Sequence, residues 1–184
     1  SQALRSLQND APPMPYSVIA DQIIAEFGSS PEELFARFDQ EPFAAASIGQ
    51  VHRALTHEGQ EVVVKVQYPG VAESMDSDLA QLKLALRLGG LIRLPKQSVD
   101  ALFSELKARL REELDYRKEA ENLVIFRQFH TRHQGIIVPE VIAKYCSDKV
   151  LTMEYLAGVH IDEVAKQYWP KSVVDGIARN LFTL

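Results

Sequence analysis

The chain has very little sulfur chemistry: Cys146 is the single cysteine among 184 residues. One cysteine closes no intrachain disulfide, so a disulfide-stapled scaffold is excluded and nothing points to an oxidising compartment. An excess of positive charge is also missing. Twenty Lys and Arg stand against 25 Asp and Glu, a formal charge of −5. The strongly basic footprint of a nucleic-acid binder is therefore absent. No apolar run approaches the ~18 residues of a membrane span; the longest, Leu82–Leu94, is interrupted by Lys83, Arg87 and Arg93. There is no charged-then-apolar leader, no internal repeat and no low-complexity tract. His130 and His133 offer two imidazoles three residues apart with no third ligand in sight, so no metal site is assigned within the chain. What is present, 46% hydrophobic and 24% charged residues, is an ordinary globular balance. The length allows one domain, or one and part of another. The chain starts with Ser and stops inside the apolar helical pattern Ala178–Leu184. Both ends read as cut edges, and a piece of a longer protein is expected.

Hydrophobic periodicity orders the chain. Ser17 is expected to cap a helix carrying Val18, Ile19, Ile23, Ile24 and Phe27, stopped by Gly28. Ser30-Pro31-Glu32-Glu33 is a compact helix start, with Ser at the cap, Pro at the first position and Glu three after the cap. Gln50–Thr56 and Glu61–Gln67 flank His57-Glu58-Gly59-Gln60 and read as a β-hairpin. In the second strand Val62, Val64 and Val66 face one way; Val63, Lys65 and Gln67 face the other. Asp76–Leu94 reads as a helix weakened at Gly89-Gly90. Ser98 is expected to cap one long helix running to about His130, with a stripe through Leu102, Leu106, Leu110, Leu114, Val124 and Phe126. Val138–Ile142 and Val150–Met153 read as strands, and Lys171–Leu184 as a last helix. The order predicts an α+β fold, an antiparallel sheet with helices on one side.

Three stretches carry chemistry. Ala44-Ala45-Ala46-Ser47-Ile48-Gly49 is a small-residue loop, and a phosphate cradle needs small side chains so that backbone N–H groups approach the ligand. Lys65, alone in a valine-rich strand, offers a point charge to phosphate oxygens and needs a carboxylate to hold it. Asp115 and Glu119 lie four apart on a helix face. Asp175 and Asn180 form an Asp-x4-Asn pair inside a helical pattern, with no His-Arg pair before it. Lys83, Arg87, Arg93 and Lys96 form a basic amphipathic stretch suited to peripheral contact with an anionic membrane, or to packing within the fold.

Taken in order, loop, strand, turn, Val-Val-Val-Lys strand, Glu-bearing helix and Met153-Glu154-Tyr155 form the layout of a protein-kinase N-terminal lobe and hinge. Pro42–His52, Val64–Val71 and Glu113–Ala120 resemble one branch, the UbiB-like (AarF-domain) atypical kinases linked to coenzyme Q biosynthesis. The resemblance implies a kinase-like N-lobe at 42–156, a helical extension at 1–41, and a hinge exit and start of a truncated C-lobe at 157–184. It makes Ala44, Ala45, Ala46, Ser47, Ile48 and Gly49 the alanine-rich loop. Lys65 becomes the phosphate-contacting lysine and Glu119 its partner. Met153, Glu154 and Tyr155 become the adenine-binding hinge, and Glu113 with Asp115 the family's Glu-x-Asp element. That element packs against a Lys-x-Gly-Gln extension, which would lie before Ser1. The implied cofactor is ATP or ADP with Mg2+, its metal ligands and catalytic Asp lying beyond Leu184. The implied partners are an adenine nucleotide and coenzyme Q biosynthesis proteins or lipid precursors, not nucleic acid. The implied place is a cytoplasmic or matrix-type reducing compartment, peripheral to a membrane. A non-catalytic, nucleotide-gated scaffold or lipid-binding module stays open beside the enzyme reading.

Overall fold

A computed structural model of the chain describes residues 13–88, 96–130, 135–159 and 168–182. Five antiparallel strands form one sheet: β1 (Arg37–Phe38), β2 (Ala44–Ala46), β3 (Gly49–Leu55), β4 (Glu61–Gln67) and β5 (Val150–Glu154). The order is β1-β3-β4-β5, and β2 also pairs with β3. In register, Lys65 sits between Val51 on β3 and Leu151 on β5. The β3–β4 hairpin turns at Gly59, whose φ of 84° suits glycine.

The two faces of β4 have different fates. Val62, Val64 and Val66 are fully buried. Helix α1 (Tyr16–Phe27) lies against them through Ile19 and Ile23, and Phe35, Phe38, Ala54, Tyr145 and Val150 complete that core. The helix starts at Tyr16, with Pro15 at the cap position, so Ser17 lies inside it rather than capping it. Proline's fixed φ pre-sets this entry without a side-chain cap. At α2 (Pro31–Leu34) the Glu33 carboxylate accepts the Ser30 N–H at 2.9 Å.

The opposite face carries Val51, Arg53, Val63, Lys65 and Met153, all half-buried. Among the described residues, the start of a later helix covers its Lys65 end, where the Tyr116 ring meets the ammonium. Helices therefore occupy both faces, not one, because alternation on β4 gives each face an apolar set to cover.

After Gly70, helix α3 (Val71–Leu88) begins five residues earlier than the apolar pattern suggested. The Leu91–Leu94 end of that pattern lies outside the described residues. The expected single long helix is two: α4 (Lys96–Glu113) and α5 (Tyr116–His130). Asp115 breaks it by capping α5, its Oδ1 accepting the Lys118 N–H at 2.9 Å. Gln67 pins the break to the sheet by donating to the Leu114 carbonyl at 3.0 Å. The packed residues of α4 are Val99 and Phe103, while Leu102 and Leu106 are exposed.

Helices α3 and α4 are joined by ion pairs. Asp100 takes both Lys83 and Arg87, and Asp76 takes Lys107 and Arg111. Half of the basic stretch is thus neutralised within the fold. Such exposed pairs contribute at most about 1 kcal/mol each. Val138–Ile142 makes only an isolated bridge, Val141 to Met153, and then a 3-10 turn at Ala143–Tyr145; Pro139 lacks the N–H that a regular ladder needs. The last helix, α6, spans Lys171–Phe182. Among the described residues no helix is long and apolar enough to cross a membrane.

Candidate functional site

Lys65 emerges from β4 with its side chain 17% exposed and its ammonium against Glu119 of α5, at 2.7 and 2.9 Å to the two carboxylate oxygens. A strand fixes the cation, and a helix start, held by Asp115 and Gln67, fixes the anion. Such bidentate, charge-assisted contact restrains the lysine tip far better than a single hydrogen bond does. Beside it lies an open cleft of about 400 Å3 lined by Lys65, Glu112, Glu113, Lys118, Glu119 and Asn122. Glu113 thus faces the cleft, whereas Asp115 serves as the helix cap. If the cap matters as the geometry requires, Asp115→Ala should cost about 1 kcal/mol. Asp115→Asn should keep most of that stability, measured by thermal unfolding.

The small-residue loop is an exposed hairpin. Ala44–Ala46 pair with Gly49–Val51 of β3, and Ser47-Ile48 form the turn. Ala44, Ala45 and Ser47 are open to solvent; Gly49 is buried. A Cβ on Gly49 would sit 2.2 Å from the Val66 carbonyl oxygen and 3.1 Å from the Tyr116 hydroxyl, so the backbone here approaches too closely for any side chain. Behind the loop, buried Gln50 accepts the Met14 N–H at 3.0 Å and meets the His52 ring nitrogen at 2.9 Å. The other ring nitrogen meets the Asp39 carbonyl at 2.8 Å, and burial pushes the imidazole below its usual range.

At the far end of the face, Met153 pairs with Val63. The Glu154 N–H donates to the Glu140 carbonyl and the Tyr155 N–H to the Glu61 carbonyl, at 2.8 and 3.0 Å. These two donors of the expected hinge are thus already engaged inside the fold. The Tyr155 ring lies edge-on to Phe43, and the Arg53 guanidinium stacks 4.0 Å from its centroid.

The remaining sequence candidates lie elsewhere. Asp175 is paired with Lys171 one turn away, and Asn180 donates to the Gly135 carbonyl. Both sit on α6, so their spacing builds no loop. His130 is buried against Phe126, and His133 lies outside the described residues. Among the described residues no three acidic, His or Cys groups converge as a metal site. Cys146 is half-buried with the Thr152 N–H donating to its sulfur, and burial pushes the thiol up. Tyr116 and Gln67 escape sequence reasoning. The one available signal for Tyr116 is its place three residues before Glu119, on the same helical face.

Residues 6–184 match the model of the ABC1 atypical kinase-like domain. The chain belongs to that family. Its curated ABC1 relatives include the mitochondrial atypical kinase coq-8 of Caenorhabditis elegans, 39% identical over all of this chain and 24% of that protein. The mitochondrial atypical kinase COQ8 of Saccharomyces cerevisiae is 39% identical over 89% of this chain and 32% of that protein. Among solved structures, Rv3197 of Mycobacterium tuberculosis, determined as a complex with erythromycin, has 34% identity and a TM-score of 0.71. That match covers 91% of this chain and 42% of Rv3197. The ABC1 chain described here thus spans about a quarter to a third of those two curated relatives.

Proposed function

We propose that this chain is the nucleotide-binding lobe of an atypical kinase or ATPase that supports ubiquinone synthesis. One observation carries the reading: the half-buried ammonium of Lys65 is clamped by Glu119 on the open sheet face, beside an exposed hairpin of small residues. A lysine held this way keeps its position for a phosphate oxygen. The half-buried apolar patch of Val51, Val63 and Met153 is suited to one face of an adenine ring. With the Glu154 and Tyr155 donors engaged, the base would meet hinge carbonyls and the amides beyond Tyr155. The lobe is residues 42–156, with α1 bracing its back. Support for the quinone pathway comes from the two curated mitochondrial relatives.

The donor set fits a nucleotide only in part. Lys65 and the loop suit phosphates, but no described cluster suits Mg2+. Bound Mg2+ would neutralise charge on the β- and γ-oxygens. This chain's own residues bind and orient the nucleotide, and the hydrolytic groups belong to the rest of the protein. The chain alone should therefore release no phosphate from Mg-ATP above background. Calorimetry on the whole protein tests the reading itself: Mg-ADP should give a saturable isotherm, tighter than adenosine. No heat with either ligand would sink it.

A further inference from the structure

The Lys65–Glu119 pair has a third member. Tyr116 is fully buried, and Lys65 Nζ lies 4.5 Å from the centroid of its ring. Tyr116 opens α5 immediately after the Asp115 cap, and Glu119 follows one turn later on the same face. The ammonium thus lies between a carboxylate and a π face presented by one helical turn. An aromatic face attracts a cation through its quadrupole, most strongly where water is excluded. The hydroxyl at the far end of the same ring has no hydrogen-bond partner among the described residues. It reaches the backbone at Gly49, where a Cβ would lie 3.1 Å from it. A buried hydroxyl without a partner is a burden that phenylalanine would not carry. The ring, by contrast, touches the lysine.

We infer that Tyr116 is the positioning residue of this site: its ring seats the Lys65 ammonium. The functional weight of this inference rests on the proposal that Lys65 meets phosphate. Because Tyr116 and Glu119 share one helical turn, the seat is made or lost as a unit. A shift of α5 away from the sheet removes carboxylate and ring together. Gln67, which holds the Leu114 carbonyl just before that turn, ties the seat to β4 itself.

The test reads Lys65 directly in the whole protein, at a temperature where every variant is folded. A water-soluble acylating reagent modifies amines, and mass spectrometry compares Lys65 with exposed Lys171 as internal reference. Tyr116→Leu should raise relative labelling of Lys65 about three- to tenfold, the range of a partly desolvated cation–π contact. Tyr116→Phe should leave it at the wild-type level, because the ring is kept. Wild-type labelling in Tyr116→Leu would overturn the inference. So would equal increases in the Phe and Leu variants, which would assign the effect to the hydroxyl. A second arm adds Mg-ADP to the wild type. Failure of Mg-ADP to lower Lys65 labelling would overturn the phosphate role of Lys65, and the variant comparison without nucleotide would still decide the seat.

Discussion

Lys65→Met is expected to weaken Mg-ADP binding about 10- to 100-fold while leaving adenosine binding unchanged. A hydrogen bond to a charged group contributes about 1.5–3 kcal/mol, and every ~1.4 kcal/mol is tenfold in affinity. Met keeps the aliphatic stem, so the sheet face retains its packing. The lost quantity is the point charge alone, and only a phosphate-bearing ligand notices it. Stability should follow a different order. Glu119 is 37% exposed and Lys65 17%. Removing the lysine leaves a carboxylate that can turn to water. Removing Glu119 strands the more buried ammonium. Glu119→Ala should therefore cost more than Lys65→Met, by about 1–2 kcal/mol, between the values for exposed and buried pairs. Calorimetry with the two ligands and thermal unfolding of the two variants check both halves. A parallel loss of adenosine and Mg-ADP affinity would show that Lys65 acts through the fold and not on phosphate.

Parts of this arrangement are legible in the sequence. Alternation along Val62–Gln67 places Lys65 on the face away from the valine core, and the hairpin with its Gly59 turn follows from β-formers around a turn signal. The break at Asp115 is harder to see. Arg111–Ala120 looks like continuous helix because most of its residues are good helix formers, and Asp115 reads as one of an acidic pair on a helix face until its carboxylate is seen accepting the Lys118 N–H. The tertiary bond from Gln67 to Leu114 fixes that break, and no local pattern announces it. The stripe through Leu102 and Leu106 misleads for a related reason. Val99 and Phe103 are buried instead, and ion pairs from Asp76 and Asp100 join α3 to α4. Pro139 sits inside the stretch expected as a strand. Lys65 and Glu119, 54 residues apart, enter the sequence reading as a pair through family resemblance; spacing alone does not join them.

Gly49→Ala is expected to be the most damaging single methyl that can be added to this chain at a described glycine. The strain does not come from the glycine's own dihedrals, since its φ is not in the left-handed region. It comes from what a Cβ would meet: the Val66 carbonyl oxygen at 2.2 Å and its carbon at 3.0 Å, both backbone atoms of the central strand β4. A flexible side chain could yield, but a strand hydrogen-bonded on both edges cannot. The β3–β4 ladder would have to open at its Gly49–Gln67 end, or the loop would have to lift away from Tyr116. Either response costs about 3 kcal/mol, the upper range for overpacking. Lifting would also disturb the small-residue loop itself. Gly59→Ala is the informative contrast. Among the described residues nothing lies within 4 Å of its Cβ position, and its φ of 84° is what opposes a side chain, a cost of about 1 kcal/mol. Urea unfolding of both variants should give a loss for Gly49→Ala about three times that for Gly59→Ala. Mg-ADP affinity should fall in Gly49→Ala and stay at the wild-type value in Gly59→Ala. Equal losses of stability would mean that β3 and β4 part easily at Gly49, and the rigid loop base on which the phosphate reading depends would be gone.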